Sequence, residues 1–212
     1  ILTFAISALL RLGLSLVNRE ANDPHLEVVQ YLLTHNNLPT RDDCWECFQP
    51  KLYHLLNAGL VKIAHLTNPS AQILAANLFN FVIGLLILAV VWRFLTQLSI
   101  QNELLRWLAF AYVAFNPKLI GISSQATNDA LLILFSTLAL HQTWLFLQTF
   151  GVHAPAHRPD VNVRANPPSG LKSASAGFVS ITRVLSLSKP NPRWHFALLT
   201  IFTILAASTK TN

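Results

Sequence analysis

From Ile63 to Trp92 the chain carries no Lys, Arg, Asp or Glu. An uncharged run of that length has few homes. A helix that crosses a hydrocarbon core of ~30 Å needs about 20 mostly apolar residues, because it rises ~1.5 Å per residue. Soluble domains average about 25% charged residues. This chain of 212 residues has 11%, against 52% hydrophobic. The deficit excludes an ordinary soluble enzyme, a disordered chain and a coiled coil, and it points to a membrane protein. With 7 Gly, 11 Pro and no repeat period, collagen and solenoids are excluded as well.

Five spans follow from the pattern. Ile73–Val91 is the apolar heart of the first uncharged run, and Ala130–Phe150 opens the second. Leu104–Ile122 is interrupted by Asn116-Pro117-Lys118, where a helix should end or kink. Trp194–Ser208 is rich in Phe, Leu and Ile, and Ile1–Val17 is interrupted by Arg11. A cleaved signal peptide would carry its charge ahead of the apolar run, not inside it. The chain opens on Ile1 within an apolar run, has no Met and stops shortly after another such run. It reads as a fragment, with its last helix (194–212) truncated.

Charge orients these spans, because cytoplasmic loops near a membrane collect Lys and Arg. Segment 151–193 holds Arg158, Arg164, Lys172, Arg183, Lys189 and Arg193 against one acid, Asp160. It also holds six of the eleven prolines and reads as a flexible basic cytoplasmic loop. Within it only Gly177–Leu187 has an ordering pattern. Arg93 and Arg106 mark a second inner turn. Segment 18–50 holds Glu20, Asp23, Glu27, Asp42, Asp43 and Glu46, six of the nine acids in the chain, and belongs outside. The expected fold is therefore all-α. It is a polytopic membrane helix bundle (1–150) whose outer loop, 18–72, carries short amphipathic helices. The expected location is the cell (inner) membrane, multi-pass. The net charge of +6 fits inner loops beside anionic membrane lipids, and no nucleic-acid partner is expected.

The outer loop carries most of the chemistry. Pro24 suits a first helical position, and Leu26, Val29 and Leu32/Leu33 recur at helical spacing, which predicts a surface helix over 24–35. Asp23 is then an N-cap worth about 1 kcal/mol, or a reactive carboxylate. Cys44 and Cys47, the only cysteines, form a CxxC pair. Outside the membrane the first reading is a local disulfide; the other is half a zinc site with His25 or His54. A second helix is expected over 50–66, with an apolar stripe of Leu52, Leu55, Leu56, Leu60 and Ile63. Either the helix packs at the interface with Tyr53 and His54 at headgroup depth, or Lys51, Tyr53 and His54 face a polar cavity with Asp23. Asn128-Asp129 opens the span 130–150 from the outer side. Asp129 there meets the helix dipole, or lines a cavity. Lys210 closes the last span on the same side, snorkelling or partnering an anion. His141 lies mid-span with no partner visible in sequence. Loop charge thus puts Asp23, Asp129 and Lys210 on one membrane face.

The order of these features resembles that of the polytopic glycosyltransferases of the GT-C class, which include protein O-mannosyltransferases and the aminoarabinose transferase of lipid A. Four places carry the resemblance. They are Asn22-Asp23 after a span, Gln49-Pro50-Lys51-Leu52-Tyr53-His54 opening a helix, Asn116-Pro117 followed by Thr127-Asn128-Asp129-Ala130-Leu131, and Ser208-Thr209-Lys210 at a span end. Lys51 and His54 depart from the family's proline and tyrosine. The resemblance implies sugar transfer from a polyprenyl-phosphate donor to a hydroxyl acceptor at the outer face. Asp23 would be the catalytic base. Lys51, Tyr53, His54, Asn128, Asp129 and Lys210 would contact donor or substrate. A divalent metal at Asp23 and Asp129 is an open option that their spacing does not support. The acceptor is not specified, and the fragment alone is not expected to be active. The reading from another class is a secondary transporter or a non-catalytic membrane scaffold. Transporters show internal repeats and broken spans at mid-membrane. Here one span is broken and no repeat is found.

Overall fold

A computed structural model describes residues 1–18, 25–98, 100–149 and 192–209. Among them every regular element is a helix. These are α1 (Leu2–Val17), α2 (His25–His35), α3 (Leu52–Ile63), α4 (Pro69–Gln97), α5 (Glu103–Ala114), α6 (Pro117–Ile122), α7 (Asp129–Thr149) and α8 (Pro192–Thr209). The segment 151–191, including Gly177–Leu187, lies outside the described residues, as do Asp23 and Lys210.

Asparagine starts three of these helices. Asn68, Asn102 and Asn116 each turn a side-chain oxygen onto a backbone N–H of the first turn, that of Ser70, Leu105 and Leu119 respectively. Such a cap satisfies a donor that has no partner within the helix. Pro69 and Pro117 follow two of the caps, where a missing N–H costs nothing. The expected span 104–122 is thus two helices, one ending at Ala114 and the other restarting at Pro117. At ~1.5 Å per residue α5 is about 18 Å long, which is too short to span a bilayer.

Two helices, α4 and α7, are long and apolar enough to cross a membrane. Only 39% of the α4 window and 22% of the α7 window is buried. The core helix of a soluble protein would be mostly covered. Of the other expected spans, α1 is a 16-residue helix, and the apolar part of α8 covers Trp194–Ala206.

The long helices alternate in direction. Asn77 Nδ2 donates to the Asn18 carbonyl at 2.7 Å, which ties the end of α1 to the start of α4. Asn80 Nδ2 donates to the carbonyls of Gln125 (2.6 Å) and Thr127 (2.7 Å), just ahead of α7. At the other end of α4, Gln97 Oε1 meets His141 Nε2 at 2.7 Å. His141, expected to be packed without a partner, has one because the last residue of α4 reaches it. From α7 to α8 the links are Gln142 Oε1 to His195 Nδ1 at 2.9 Å and Phe135 stacked on Phe202.

These helices bury polar groups beside an apolar core of Ile83, Ile87, Leu88, Leu131 and Leu134. In α1 the buried residues are Ser7, Arg11 and Ser15. Arg11 does not break the helix as an intruding charge; it faces inward and braces the bundle. Its Nε donates to Ser123 Oγ at 3.0 Å and its Nη1 to the Ala114 carbonyl at 2.9 Å, with further bonds to the Ser7 hydroxyl and carbonyl. Gly84 lets α4 pass this knot, since a Cβ there would stand 2.5 Å from Ser123 Cβ.

Helices α2 and α3 form a separate layer with an ordinary apolar core of Val28, Val29, Leu32, Cys47, Ala58 and Val61. Helix α3 begins at Leu52, two residues past Pro50, so the expected span 50–66 shortens at both ends. Its packed face also differs from the expected stripe. Tyr53, His54, Asn57, Ala58 and Val61 are buried, whereas Leu55, Leu56 and Ile63 are exposed.

Candidate functional site

The candidate site lies where α3, the start of α4 and the start of α7 meet. Asn128 immediately precedes α7 and is almost fully buried. Its Nδ2 donates to Gln49 Oε1 at 2.6 Å, across 79 positions of sequence. This bond fastens the segment before α3 to the turn 123–128. Asn80 holds the same turn from below through its two carbonyl contacts. Asp129 follows Asn128 as the first residue of α7 and is half-buried, its backbone N–H 3.3 Å from Thr127 Oγ1.

Tyr53 and His54 are both closed off from solvent, at 2% and 0% exposure, and meet edge to face. Tyr53 packs into the cluster of Ile83, Ile87, Ile122, Ala130, Leu131 and Leu134. Burial pushes its phenol above the ordinary tyrosine range. Asn57, Asn80 and the Thr127 backbone oppose that shift, although none makes a full hydrogen bond to the hydroxyl. Of the two readings of this stretch, a packed helix or a polar cavity shared with Asp23, the described residues show Tyr53 and His54 packed among side chains. Ile83 and Ile87 in the middle of α4 and Ala130, Leu131 and Leu134 at the start of α7 close over the ring.

Lys51 stays nearer the surface. Its Nζ donates to the Cys47 carbonyl, so it closes the disulfide turn and does not point along α3. Partial burial draws its ammonium below the ordinary lysine range, and the charge of Asp43 works against that. Cys44 and Cys47 are joined as a disulfide with Cα atoms 4.9 Å apart. Beside them, Asp43 Oδ2 accepts from the Thr40 backbone N–H (2.6 Å) and the Thr40 hydroxyl (2.9 Å).

Of the residues expected in the site, the fold brings together Lys51, Tyr53, His54, Asn128 and Asp129 at one end of the bundle. The two remaining, Asp23 and Lys210, lie outside the described residues. Gln49 and Asn80 join the site without having been singled out. Gln49 had a signal in its motif; Asn80 had none beyond being an amide inside an apolar run. Among the described residues no three His, Cys, Asp or Glu side chains gather as a metal-ligand set. Chemically the described part is a packed set of amides whose donors are spent within the protein, with the half-buried Asp129 and Lys51 at its edge. Comparison with known proteins adds nothing to this geometry: no protein-family model, curated protein or solved structure matches the chain.

Proposed function

We propose that the chain is part of a polytopic membrane glycosyltransferase that takes a sugar from a polyprenyl phosphate and passes it to a hydroxyl acceptor at the outer membrane face. The observation that supports this reading is the Asn128–Gln49 hydrogen bond. It joins two of the four sequence stretches that resemble the glycosyltransferase class, and it does so at the end of the bundle where loop charge predicts the outer surface. The polar inner line and leucine-covered exterior of α1, and the buried amides Asn77 and Asn80 of α4, support the membrane setting.

In this proposal the acceptor hydroxyl is a poor nucleophile until its proton leaves. A carboxylate within hydrogen-bond reach, assigned to Asp23, takes that proton as attack proceeds. The leaving polyprenyl phosphate gathers negative charge, which Lys51 and Lys210 offset. Asn128 and Asp129 orient the donor's hydroxyls at the start of α7.

The test is transfer from a polyprenyl-phosphate sugar by the intact protein in membranes. Asp23→Asn should lower turnover at least about 100-fold, the lower bound of what a positioned base contributes, with expression unchanged. Gln49→Leu should lower it less, because it loosens the packed amides and leaves the base in place. Normal turnover in Asp23→Asn would remove that residue from the mechanism. Substrate transport without any transfer would favour the transporter reading.

A further inference from the structure

The disulfide turn ahead of α3 is inverted in a way that the proposed reaction does not use. Trp45 is 75% exposed and Phe48 50%, whereas Glu46 between them is 6% exposed. A turn that meets only water does the reverse: it covers its aromatic rings and leaves its acids out. The turn is also closed on itself. Cys44 and Cys47 are joined, the Cys47 N–H donates to the Cys44 carbonyl at 3.1 Å, and the Gln49 N–H donates to the Glu46 carbonyl at 3.1 Å. Cys47 is seated in the apolar core between α2 and α3. The backbone that holds the two exposed rings is thus already ordered, and little further entropy is lost when they meet a partner.

Helix α4 is a ruler for the depth of this turn. The end of α1 meets α4 at Asn77, and the stretch just ahead of α7 meets it at Asn80. In the membrane reading, two span ends at one level mark the outer edge of the hydrocarbon. Tyr53 lies at that level, its ring 6.1 Å from the ring of Phe79, and Gln49 is tied to Asn128 at the start of α7. Phe48 directly precedes Gln49, and Trp45 lies in the same closed turn. From Tyr53 onward α3 climbs away from the bundle, because Gln72 Nε2 in the first turn of α4 donates to the Leu66 carbonyl at 2.9 Å. Lys62, ~14 Å along α3 from Tyr53, donates to Asn36 Oδ1 at 2.5 Å. Leu38, two residues beyond Asn36, therefore stands on the water side of the same ruler.

We propose that the turn 44–48 is an anchor in the outer leaflet, with Trp45 and Phe48 seated among lipid headgroups and the uppermost acyl carbons. Tryptophan favours that boundary, where its ring meets apolar carbon and its N–H stays within reach of polar groups. A carboxylate turned the same way would be costly, and Glu46 faces inward instead. Seated there, the turn holds the first residues of α3, and Gln49 with them, at the membrane surface. The inference depends on the membrane reading above and not on sugar transfer.

The test uses the full chain in phosphatidylcholine nanodiscs. Emission of the parent protein minus that of Trp45→Phe isolates Trp45, and the substitution touches no core residue. Leu38→Trp, made in the Trp45→Phe background and read by the same subtraction, supplies a reference tryptophan on the water side. Aqueous acrylamide should quench Trp45 several-fold less than the reference. Phosphatidylcholine brominated high on the acyl chain should quench Trp45 and spare the reference, and phosphatidylcholine brominated near the chain end should quench Trp45 less. Equal acrylamide quenching of the two positions would overturn the inference. So would stronger quenching of Trp45 by the deeper bromine, which would place it inside the hydrocarbon. Shielding from acrylamide without quenching by either brominated lipid would overturn it as well, in favour of a second copy or another protein on this turn. Protein that alkali strips from membranes would overturn the membrane reading and the anchor with it.

Discussion

Helix α1 turns Ser7, Arg11 and Ser15 inward and leaves Leu9 and Leu14 on its surface, while α2 turns Val28, Val29 and Leu32 inward and leaves Glu27, Gln30 and Thr34 on its surface. The two helices belong to one chain and are separated by a few residues. Opposite polarity of this kind is what two different solvents would produce. In water, exposed leucine is costly and buried valine is stabilising. In lipid, exposed leucine costs nothing, and a polar group gains by turning toward other polar groups. Helix α1 has the pattern of the second rule and the α2–α3 layer that of the first, while α4 and α7 bury Ile83, Ile87, Leu88, Leu131 and Leu134 beside their amides. Helix α3 is the seam between them. Its Ala58 and Val61 face the apolar core with α2, and its Tyr53 packs into the bundle with Asn57 on the same face. The candidate site lies on this seam.

The comparison breaks most sharply on a charge. Leu86 is 49% exposed near the middle of α4, and Leu38 is 62% exposed in the outer loop. If the bundle surface meets hydrocarbon, Leu86→Arg should cost about 3 kcal/mol of insertion free energy. Leu38→Arg should stay within about 0.5 kcal/mol, as for an ordinary water-facing substitution. Alkali-resistant membrane integration measures both. Equal behaviour of the two variants would mean that both positions see the same solvent, and the division of the molecule would fall.

A smaller effect sharpens the idea that amides hold the bundle together. Asn80→Leu keeps the volume but removes both donors to the carbonyls of Gln125 and Thr127. Two acceptors of the turn 123–128 would lose their protein donor, and the expected loss is about 2 kcal/mol. Asn80→Asp should be worse, since it adds a charge and points acceptor at acceptor. Thermal unfolding in detergent ranks the three proteins. A stabilised Asn80→Leu would show that apolar packing, and not the amide, holds this turn.

Much of this fold can be read in sequence wherever one solvent rule holds throughout. The charge-free runs locate α4 and α7, and the helical spacing from Leu26 to Leu33 locates α2 to within a residue. The pair Asn116-Pro117 locates the break between α5 and α6. The face of α3 defeats the pattern, because its leucine stripe identifies the inward face only for a helix surrounded by water. Near lipid that stripe can look outward while Tyr53, His54 and Asn57 turn in. Arg11 had a signal that a search for interruptions overlooks. Ser7, Arg11 and Ser15 recur every four residues, which places one polar line along an otherwise apolar helix. The Asn128–Gln49 contact had no local signal, since nothing in either segment specifies a partner 79 positions away. Residues that resemble a family's site in order can be read singly, but their meeting is a property of the packed bundle.

The smallest effect tests the water-facing side alone. Two donors from Thr40 hold the Asp43 carboxyl below the usual carboxylate range, the backbone N–H contributing most and the hydroxyl next; the Tyr31 hydroxyl and the charge of His35 add to the shift, and partial desolvation opposes it. A depressed carboxylate pKa means that the folded loop binds its proton more weakly than the unfolded one. Its contribution to stability is therefore complete above the ordinary carboxylate range and fades as the pH falls through the folded value. The carboxylate is fully exposed, so water and salt screen the effect and it stays local. Hydrogen exchange at the Thr40 amide is the direct readout. Protection should be constant at neutral pH and fall on acidification, after correction for intrinsic exchange, and Asp43→Asn should abolish that dependence. Lipid-side positions such as Leu86 have no titrating group to respond, so the same acidification should leave exchange in the middle of α4 unchanged. A parallel loss of protection in both places would mean that the loop and the bundle unfold as one unit and not as two layers with different solvents.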